Sequence, residues 1–288
     1  MFFDTLWGAP LEIPEGLADD FHLTTNRWRF AEADAVVFHI PEWRYGIGAN
    51  MPKKPHGQIW VAWSMECEEN YPLLRDGDFM GHFDVTMTYH LDADIPVIYV
   101  DSGFDKSFRT PVHSGMPNAL VAAFISSDCN RSGRQEYFKE LARWLPIDSY
   151  GKYLRNKLLP RDLGAISKLE TISRYKFTLA FENACGRDYV TEKFYDPLIA
   201  GSVPVYLGAP NIDAFAPGKQ CFIDTRDFAD PKSLAGHILR LASDSTAYSA
   251  YRVWKTEPYR EAFRDLLTLQ RTHPFVRLCD CVRKRLAG

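Results

Sequence analysis

The sequence lacks a long apolar run, a phosphate-binding glycine loop and an excess of charge of either sign. No stretch approaches the ~18 consecutive apolar residues of a membrane-spanning helix, so none is predicted. The 34 basic residues stand against 37 acidic ones, for a net charge of −3, which argues against nucleic acid as a partner. The motif G-x-x-x-x-G-K-[ST] is absent, which excludes a P-loop nucleotide site.

Cysteine is also sparse, with six residues scattered along a chain of 288. This usage is typical of reduced thiols and not of a small disulfide-bonded scaffold. Residues 1–16 lack the basic start of a signal peptide, and Asp4 interrupts their short apolar stretch. We therefore expect a cytoplasmic protein.

Six short and mostly apolar runs predict buried strands. They span residues 35–40, 59–63, 83–89, 120–126, 177–181 and 203–207. Such runs are typical of parallel strands that are covered on both faces. Helical periodicity at residues 135–145 and 231–242 follows two of the later runs, and this alternation of strand and helix predicts an α/β fold.

A change in composition at residues 101–118 predicts a link between two domains. This stretch is rich in Gly, Pro, Ser and Asp and has little periodicity. We therefore expect an N-terminal domain at residues 1–110 and a C-terminal domain at residues 118–262. Residues 263–288 form a basic tail, which is either a solvated helix or a weak peripheral contact with an anionic membrane surface.

Polar side chains follow the predicted strands, where ligands bind in open α/β sheets. Glu66, Glu68 and Glu69 come after the run IWVAW, and Arg134 comes after LVAAFIS. The most crowded connection is FENACGRDYVTEKF, residues 181–194, which joins a predicted strand to a predicted helix. A plain connection needs only turn residues and a cap, so this composition indicates that something polar is held there.

Two cations lie at predicted helix starts, where free N–H groups and the helix dipole favour anions. These cations are Arg134 and Lys193, and together they indicate a phosphate site. Glu192 could accept hydrogen bonds from sugar hydroxyls, and Tyr189 offers a ring and a hydroxyl. The alternative for this segment is an ordinary capped helix, with Thr191 as the N-cap.

The triplet Asp92-Ala93-Asp94 has the D-x-D form that many metal-dependent glycosyltransferases use to hold Mn²⁺ on a nucleotide sugar. Short triplets of this form are also common by chance, so a metal site here is kept as the weaker reading.

Residues 175–210, YKFTLAFENACGRDYVTEKFYDPLIAGSVPVYLGAP, closely resemble the donor-binding signature of the α-1,3/4-fucosyltransferases, glycosyltransferase family 10. The shared pattern is YKF-x-L-x-FEN, then DY-[VI]-TEK, then G-x-VPV-x-LG. The segment WVAWSMECEENYP is similar to the family's segment in which a Glu precedes a Pro by six residues, here Glu66 and Pro72. The resemblance extends over residues 34–256 and is strongest in the C-terminal half.

The resemblance implies a GT-B fold of two Rossmann-like domains that face each other across a cleft. The N-terminal domain would hold the acceptor and the C-terminal domain GDP-fucose. Glu66 falls on the family's general base. The positions that match its donor-site residues are Arg134, which binds the diphosphate, and Asn183, Tyr189, Glu192 and Lys193.

Two further side chains, Tyr89 and Glu68, are candidate contacts to acceptor or donor. The family often has a small residue and Pro directly after the base, whereas Cys67 and Glu68 follow here. Glu68 and Glu69 therefore stay open as alternatives to Glu66 for the base.

The implied function is inverting transfer of L-fucose from GDP-fucose to a sugar hydroxyl of an oligosaccharide acceptor, with neither cofactor nor metal. The expected linkage is α-1,3 to N-acetylglucosamine, in glycan biosynthesis or protein glycosylation, by a bacterial enzyme near the inner membrane. Two alternatives are kept. One is a metal-dependent glycosyltransferase that uses Asp92 and Asp94, and the other is a non-catalytic binder of nucleotide sugars or glycans with the same fold.

Overall fold

The structure is a computed structural model that describes residues 1–47, 50–110 and 118–287. The chain divides into two compact units. The first unit comprises Met1–Ile98 and Gln270–Gly288, and the second unit comprises Tyr99–Leu269. Each unit is built around one parallel sheet, which confirms the predicted α/β class.

The described residues form these elements in chain order. The strands are β1 (Ala35–His39), β2 (Ile59–Ser64), β3 (Val85–Thr88), β4 (Ile95–Pro96), β5 (Ala119–Ala123), β6 (Asp148–Ser149), β7 (Tyr175–Phe181), β8 (Val203–Leu207) and β9 (Ile223–Asp224). The α-helices are α1 (Gly77–Met80), α2 (Phe104–Arg109), α3 (Arg134–Leu141), α4 (Ala165–Ile172), α5 (Glu192–Ala200), α6 (Pro231–Ser243), α7 (Ser245–Ala250), α8 (Glu261–Leu269) and α9 (Pro274–Ala287). None of these helices has the length and apolar character that crossing a membrane requires.

The first unit contains a four-stranded sheet in the order β1-β2-β3-β4. Successive side chains of a strand point to opposite faces, and here both faces are buried. Val37 and Val61 belong to one apolar cluster, and Val36 and Trp60 belong to another. This double burial explains why these strands read as continuous apolar runs rather than as alternating ones.

The second unit contains a five-stranded sheet in the order β6-β5-β7-β8-β9. The long central strand β7 is therefore flanked by β5 and β8, and its residues from Phe177 to Phe181 pair with those of β8 from Val203 to Leu207. The carboxyl end of a central parallel strand is where ligands bind in such sheets. The crowded connection begins at this end of β7.

All six predicted strands and the three predicted helices, now α3, α5 and α6, are present with shifted ends. The sequence reading missed β4, β6 and β9, because each has only two residues and so cannot show a period. It also missed α4, whose apolar face is short.

The predicted link at residues 101–118 differs from the structure. Residues 111–117 lie outside the described part of the chain, but α2 occupies residues 104–109. The rings of Phe104 and Phe108 fix this helix, because Phe108 is buried against Trp254 and Phe263 of the second unit. The chain divides at Ile98 and Tyr99, earlier than the predicted boundary at residue 110.

The predicted tail at residues 263–288 is also corrected. Its first part belongs to α8 of the second unit, and α9 belongs to the first unit. Leu278 and Val282 of α9 are buried in the same cluster as Phe2 and the strands of the first sheet. A basic helix with one apolar face is therefore part of a core rather than a free tail.

Candidate functional site

The connection between β7 and α5, residues 182–191, is rich in polar side chains. Thr191 is the N-cap of α5, and its hydroxyl accepts from the backbone N–H of Lys193 at 3.4 Å. The helix continues through Pro197 and ends at Gly201, whose φ of 87° favours glycine. Since Pro197 has no N–H, the carbonyl of Lys193, one turn earlier, loses its usual helical donor.

Glu182 lies directly after β7 and is completely buried. One carboxylate oxygen accepts from the backbone N–H of Thr191 at 2.8 Å, and both oxygens lie within 2.9 Å of the Thr191 hydroxyl. The ammonium nitrogen of Lys193 is 3.5 Å from the same carboxylate. Burial raises the pKa of Glu182, and the charge of Lys193 counteracts this effect.

Lys193 lies in the first turn of α5 with 23% of its side chain exposed. Its ammonium donates to the Thr191 hydroxyl at 3.0 Å and to Glu192 at 3.1 Å. Burial on its own would lower the pKa of Lys193, but Glu182 and Glu192 outweigh it and raise the pKa. The lysine is therefore held as a cation where the dipole of α5 favours anions.

Arg134 is the first residue of α3 and is only 1% exposed. Its guanidinium donates to the carbonyl of Phe181 at 3.2 Å and to that of Ser127 at 3.0 Å. Burial lowers the pKa of Arg134, and Glu182 is the strongest of the nearby groups that oppose this shift. Arg134 thus brings its charge close to Glu182 while it joins the segment after β5 to the end of β7.

Asn183 and Tyr189 are both buried in the same connection. The carbonyl of Asn183 accepts from the backbone N–H of Ser132 at 3.1 Å, which ties β7 to the segment before α3. The ring of Tyr189 makes an edge contact with that of Tyr99, with 6.4 Å between centroids. Two predicted donor-site residues are therefore fixed parts of this loop.

Asp188 shapes the turn before Tyr189. Its φ of 67° is in the left-handed region, which non-glycine residues seldom adopt. Its backbone N–H donates to the Asn211 side-chain oxygen at 2.9 Å, and the Asn211 amide donates back to its carboxylate at 2.7 Å. This reciprocal pair holds the strained residue in place.

In the first unit, Glu66 follows β2 by two residues. The Ser64 hydroxyl accepts from the backbone N–H of Glu66 at 3.0 Å and closes a tight turn. The Glu66 and Glu68 side chains line one cavity of about 320 Å³, beside apolar groups such as Leu74 and Met80. The chain turns after β2, so the turn and not the alternation of an extended strand brings both residues to this cavity.

Glu68 is bound on several sides within that cavity. Its carboxylate accepts a short hydrogen bond from the Tyr89 hydroxyl, and it lies 3.4 Å from the His90 ring nitrogen and 3.9 Å from the Arg75 guanidinium. Burial would raise the pKa of Glu68, but hydrogen bonds from His90 and Tyr89 outweigh it and lower the pKa to about 2. A carboxylate held so firmly in its ionised form is a weak base.

The two aspartates of the D-x-D triplet have different surroundings. Asp92 lines the same cavity as Glu66. Asp94 accepts from the backbone N–H and the hydroxyl of Thr86, at 2.8 and 2.9 Å, and from Arg285 of α9 at 3.2 Å. Asp94 thus links β3 to α9, and a metal ion held by both aspartates would have to compete with these bonds.

Two family profiles match the chain. A family profile described as "Glycosyltransferase family 10 (fucosyltransferase) C-term" matches residues 117–287, and one described as "Fucosyltransferase, N-terminal" matches residues 9–100. The chain belongs to glycosyltransferase family 10. The predicted family is thereby confirmed.

Similar proteins come from animals and from a plant. The chain is 34% identical over 251 residues to an α-(1,3)-fucosyltransferase B of Drosophila melanogaster, with 81% of this chain and 56% of the relative covered. It is 38% identical over 249 residues to a fucosyltransferase-like protein of Arabidopsis thaliana, with 85% and 46% covered. The chain thus spans about half the length of these two curated relatives. A human 4-galactosyl-N-acetylglucosaminide 3-α-L-fucosyltransferase is 35% identical, with 87% and 69% covered.

Solved structures show the same fold. The crystal structure of an α1,3-fucosyltransferase with GDP-fucose matches with a TM-score of 0.57 and 17% identity, over 85% of this chain and 78% of that one. A second α1,3-fucosyltransferase structure matches with a TM-score of 0.59 and 16% identity, over 89% and 82%. The predicted GT-B class is confirmed.

Sequence reasoning counted Glu182 and Asp188 among the polar groups of the β7–α5 connection but gave neither of these two buried acids a role. Glu182 had a visible signal, because a carboxylate directly after a buried apolar strand must have partners. Asp188 had only a weak one, since aspartate is among the few residues that tolerate a left-handed turn.

Proposed function

We propose that this protein transfers L-fucose from GDP-fucose to a hydroxyl group of a glycan acceptor. The observation that carries the proposal is the β7–α5 connection, where Lys193 is held as a cation at the start of α5 by Glu182 and Glu192. A cation at a helix N-terminus, where the helix dipole also favours anions, suits a diphosphate. Family membership and the relatives' names support fucose as the sugar. The crystal structure of an α1,3-fucosyltransferase with GDP-fucose supports guanosine diphosphate as the leaving group.

In the proposed reaction the second unit stabilises the leaving group. Negative charge grows on the β-phosphate as the glycosidic bond breaks, and Lys193 with the dipole of α5 would stabilise it. Arg134 would act from its buried position, both through its charge and by fixing the two segments that it joins. Glu192, with 49% of its side chain exposed, is open to hydrogen bonds from sugar hydroxyls.

The first unit would supply the base. Glu66 lines a cavity whose other groups are partly apolar and partly polar, which suits a sugar ring. The Glu66 carboxylate would take the proton of the acceptor hydroxyl while that oxygen attacks the anomeric carbon, so that the configuration inverts. Glu68 is less suited to this role because its low pKa makes it a weak base.

We further propose that the acceptor is an N-acetylglucosamine unit, that the linkage is α-1,3, and that no metal takes part. The names of the human and Drosophila relatives support the linkage, and the human name specifies a galactosylated N-acetylglucosaminide. Lys193 and Arg134 could do the work that a divalent cation does elsewhere. The bonds of Asp94 to Thr86 and Arg285 count against a D-x-D metal site.

A peripheral contact with an anionic membrane through the basic helix α9 stays a proposal. Arg277, Arg283 and Arg285 already bond to groups of the first unit, so the contact would depend on the other basic residues of the segment. Sedimentation with anionic and neutral vesicles would test it. The cytoplasmic and bacterial setting stays a prediction.

The test of the proposed function is an acceptor array with GDP-fucose and, separately, hydrolysis of GDP-fucose without acceptor. Product on galactosylated N-acetylglucosaminides, with the fucose on the 3-hydroxyl, would support the whole proposal. Neither transfer nor hydrolysis, despite tight binding of GDP, would contradict it and favour a non-catalytic binder.

A further inference from the structure

Glu182 is a single buried carboxylate that bonds to both the backbone and the side chain of Thr191 and also pairs with Lys193. Burying a lone carboxylate is costly, and the cost falls only if hydrogen bonds and an opposite charge surround it. Here the backbone N–H and the hydroxyl of Thr191 supply the hydrogen bonds, at 2.8 to 2.9 Å. The ammonium of Lys193, at 3.5 Å, supplies the charge.

The Thr191 hydroxyl connects the acid to the lysine in one direction. An ammonium group can only donate, so the hydroxyl oxygen must accept from Lys193, at 3.0 Å. The single hydroxyl hydrogen is then directed to Glu182, which can only accept when ionised. The order Lys193, Thr191, Glu182 is thus set by chemistry and not only by proximity.

These hydrogen bonds from Lys193 through Thr191 to Glu182 offset two effects that disfavour a charged lysine at this place. The start of a helix repels a cation, and burial favours the neutral form of a lysine. Glu192 alone is an uncertain anchor, because 49% of its side chain is exposed and its charge is screened by solvent. Glu182 is fully buried and fixed to the N-cap, so it holds the lysine at a constant place.

We propose that Glu182 is a positioning residue for the donor: through the Thr191 hydroxyl it holds the Lys193 ammonium at the N-terminus of α5, where a nucleoside diphosphate would bind. The inference rests on the proposed function, because it assumes that Lys193 meets the diphosphate. Glu182 itself touches neither substrate nor reacting atoms in this account.

The test is calorimetry with GDP for the wild type and for Glu182→Gln, Thr191→Val and Thr191→Ser, at a temperature well below every unfolding transition. Glu182→Gln removes the charge and keeps the size, and Thr191→Val removes the hydroxyl, which is both the link to Lys193 and the side-chain cap of α5. Each should weaken GDP binding about ten- to a hundredfold, the value of a hydrogen bond to a charged group. Thr191→Ser keeps the hydroxyl and should bind GDP like the wild type.

Asp4→Asn is the matched control. Asp4 is also a buried carboxylate paired with a cation, Arg27 at 2.6 Å, but it lies in the first unit. Both Asp4→Asn and Glu182→Gln should lower the melting temperature, whereas only Glu182→Gln should raise the KM for the donor. The KM for the acceptor should not change in either variant.

The outcomes test the positioning role of Glu182 and the proposed function separately. If the wild type binds GDP and Glu182→Gln and Thr191→Val bind it equally well, the positioning role is refuted and the proposed function stands. If Glu182→Gln does not fold, the Thr191→Val and Thr191→Ser pair decides the question alone. A wild type that binds no GDP would contradict the proposed donor and this inference with it.

Discussion

The polar segments after β7 and after β2 are built in different ways. In the second unit, Glu182, Thr191 and Lys193 lie within twelve residues of one another and bond mainly among themselves. In the first unit, the cavity beside Glu66 is assembled from separate segments, including Arg75 before α1 and Tyr89 after β3. One site is thus a property of a short motif and the other a property of the fold.

This difference matters for how each half tolerates change. A self-contained motif keeps its geometry wherever the strand and helix are kept, so its residues follow a fixed pattern. In a cavity made by several loops, one loop can change its residues while the other loops keep theirs. Groups of the first unit are therefore expected to tune the acceptor, and groups of the second unit to preserve the donor site.

The largest expected effect is that of a substitution at Glu66, which separates this residue from Glu68 and Glu69 of the same unit. Glu66→Gln keeps the size of the side chain and removes its basicity, so turnover should fall roughly 10²–10⁴-fold. Glu68→Gln and Glu69→Gln should lose far less. Steady-state rates with GDP-fucose and a neutral oligosaccharide would measure this. A dead Glu68→Gln or Glu69→Gln beside an active Glu66→Gln would mean that the base must be reassigned.

The next effect concerns the cation of the second unit. Lys193→Ala leaves phosphate charge uncompensated, and loss of such a contact costs on the order of 2–5 kcal/mol. The KM for GDP-fucose should rise accordingly, while the KM for the acceptor stays the same. An unchanged donor KM would remove the role given to this lysine.

Arg134→Ala provides a comparison with Lys193→Ala. It should also weaken donor use, but it should lower the melting temperature more, because the carbonyls of Phe181 and Ser127 both lose their donor. Thermal unfolding of the two variants would show this. Equal stability of both would mean that the buried guanidinium does not hold these segments together.

A smaller effect is expected in the pH dependence of stability. The pKa of Glu68 is about 2 in the folded protein against an ordinary 4.5. A carboxyl with a lowered folded-state pKa stabilises the protein above its unfolded pKa and loses this contribution as the pH falls through its folded pKa. The difference in unfolding free energy between the wild type and Glu68→Gln should therefore be constant above about pH 4.5 and shrink toward pH 2. A difference that grows on acidification would contradict the assignment.

The smallest expected effect is that of metal removal. Activity in EDTA should equal activity without it, and added Mn²⁺ should not change it. Asp94→Asn should lower stability slightly, through Thr86 and Arg285, and leave turnover near the wild-type value. Activity that vanishes in EDTA and returns with Mn²⁺ would favour the metal-dependent alternative.

The sequence predicted the α/β class and every long strand, because buried parallel strands have a strong apolar signal. The family was predicted by the resemblance of residues 175–210 to its donor-binding signature. The sequence also predicted that the β7–α5 connection is a site, because so many polar groups lay within one short segment. It could not show the partners of Glu68, since Tyr89 and His90 come from another strand end. It also missed the packing of α9 into the first unit. A helix at the end of the chain can pack on any part of the protein, and the sequence does not show which.

The central claim is that the second unit alone binds the donor's diphosphate, while the catalytic base belongs to the first unit. Calorimetric titration of GDP into the wild type, Lys193→Ala and Glu66→Gln tests this most directly. The account predicts that Glu66→Gln binds GDP as the wild type does and that Lys193→Ala binds it at least about thirtyfold more weakly. Wild-type affinity for GDP in Lys193→Ala, or a comparable loss of GDP affinity in Glu66→Gln, would contradict the assignment of the diphosphate to the second unit and of the base to the first.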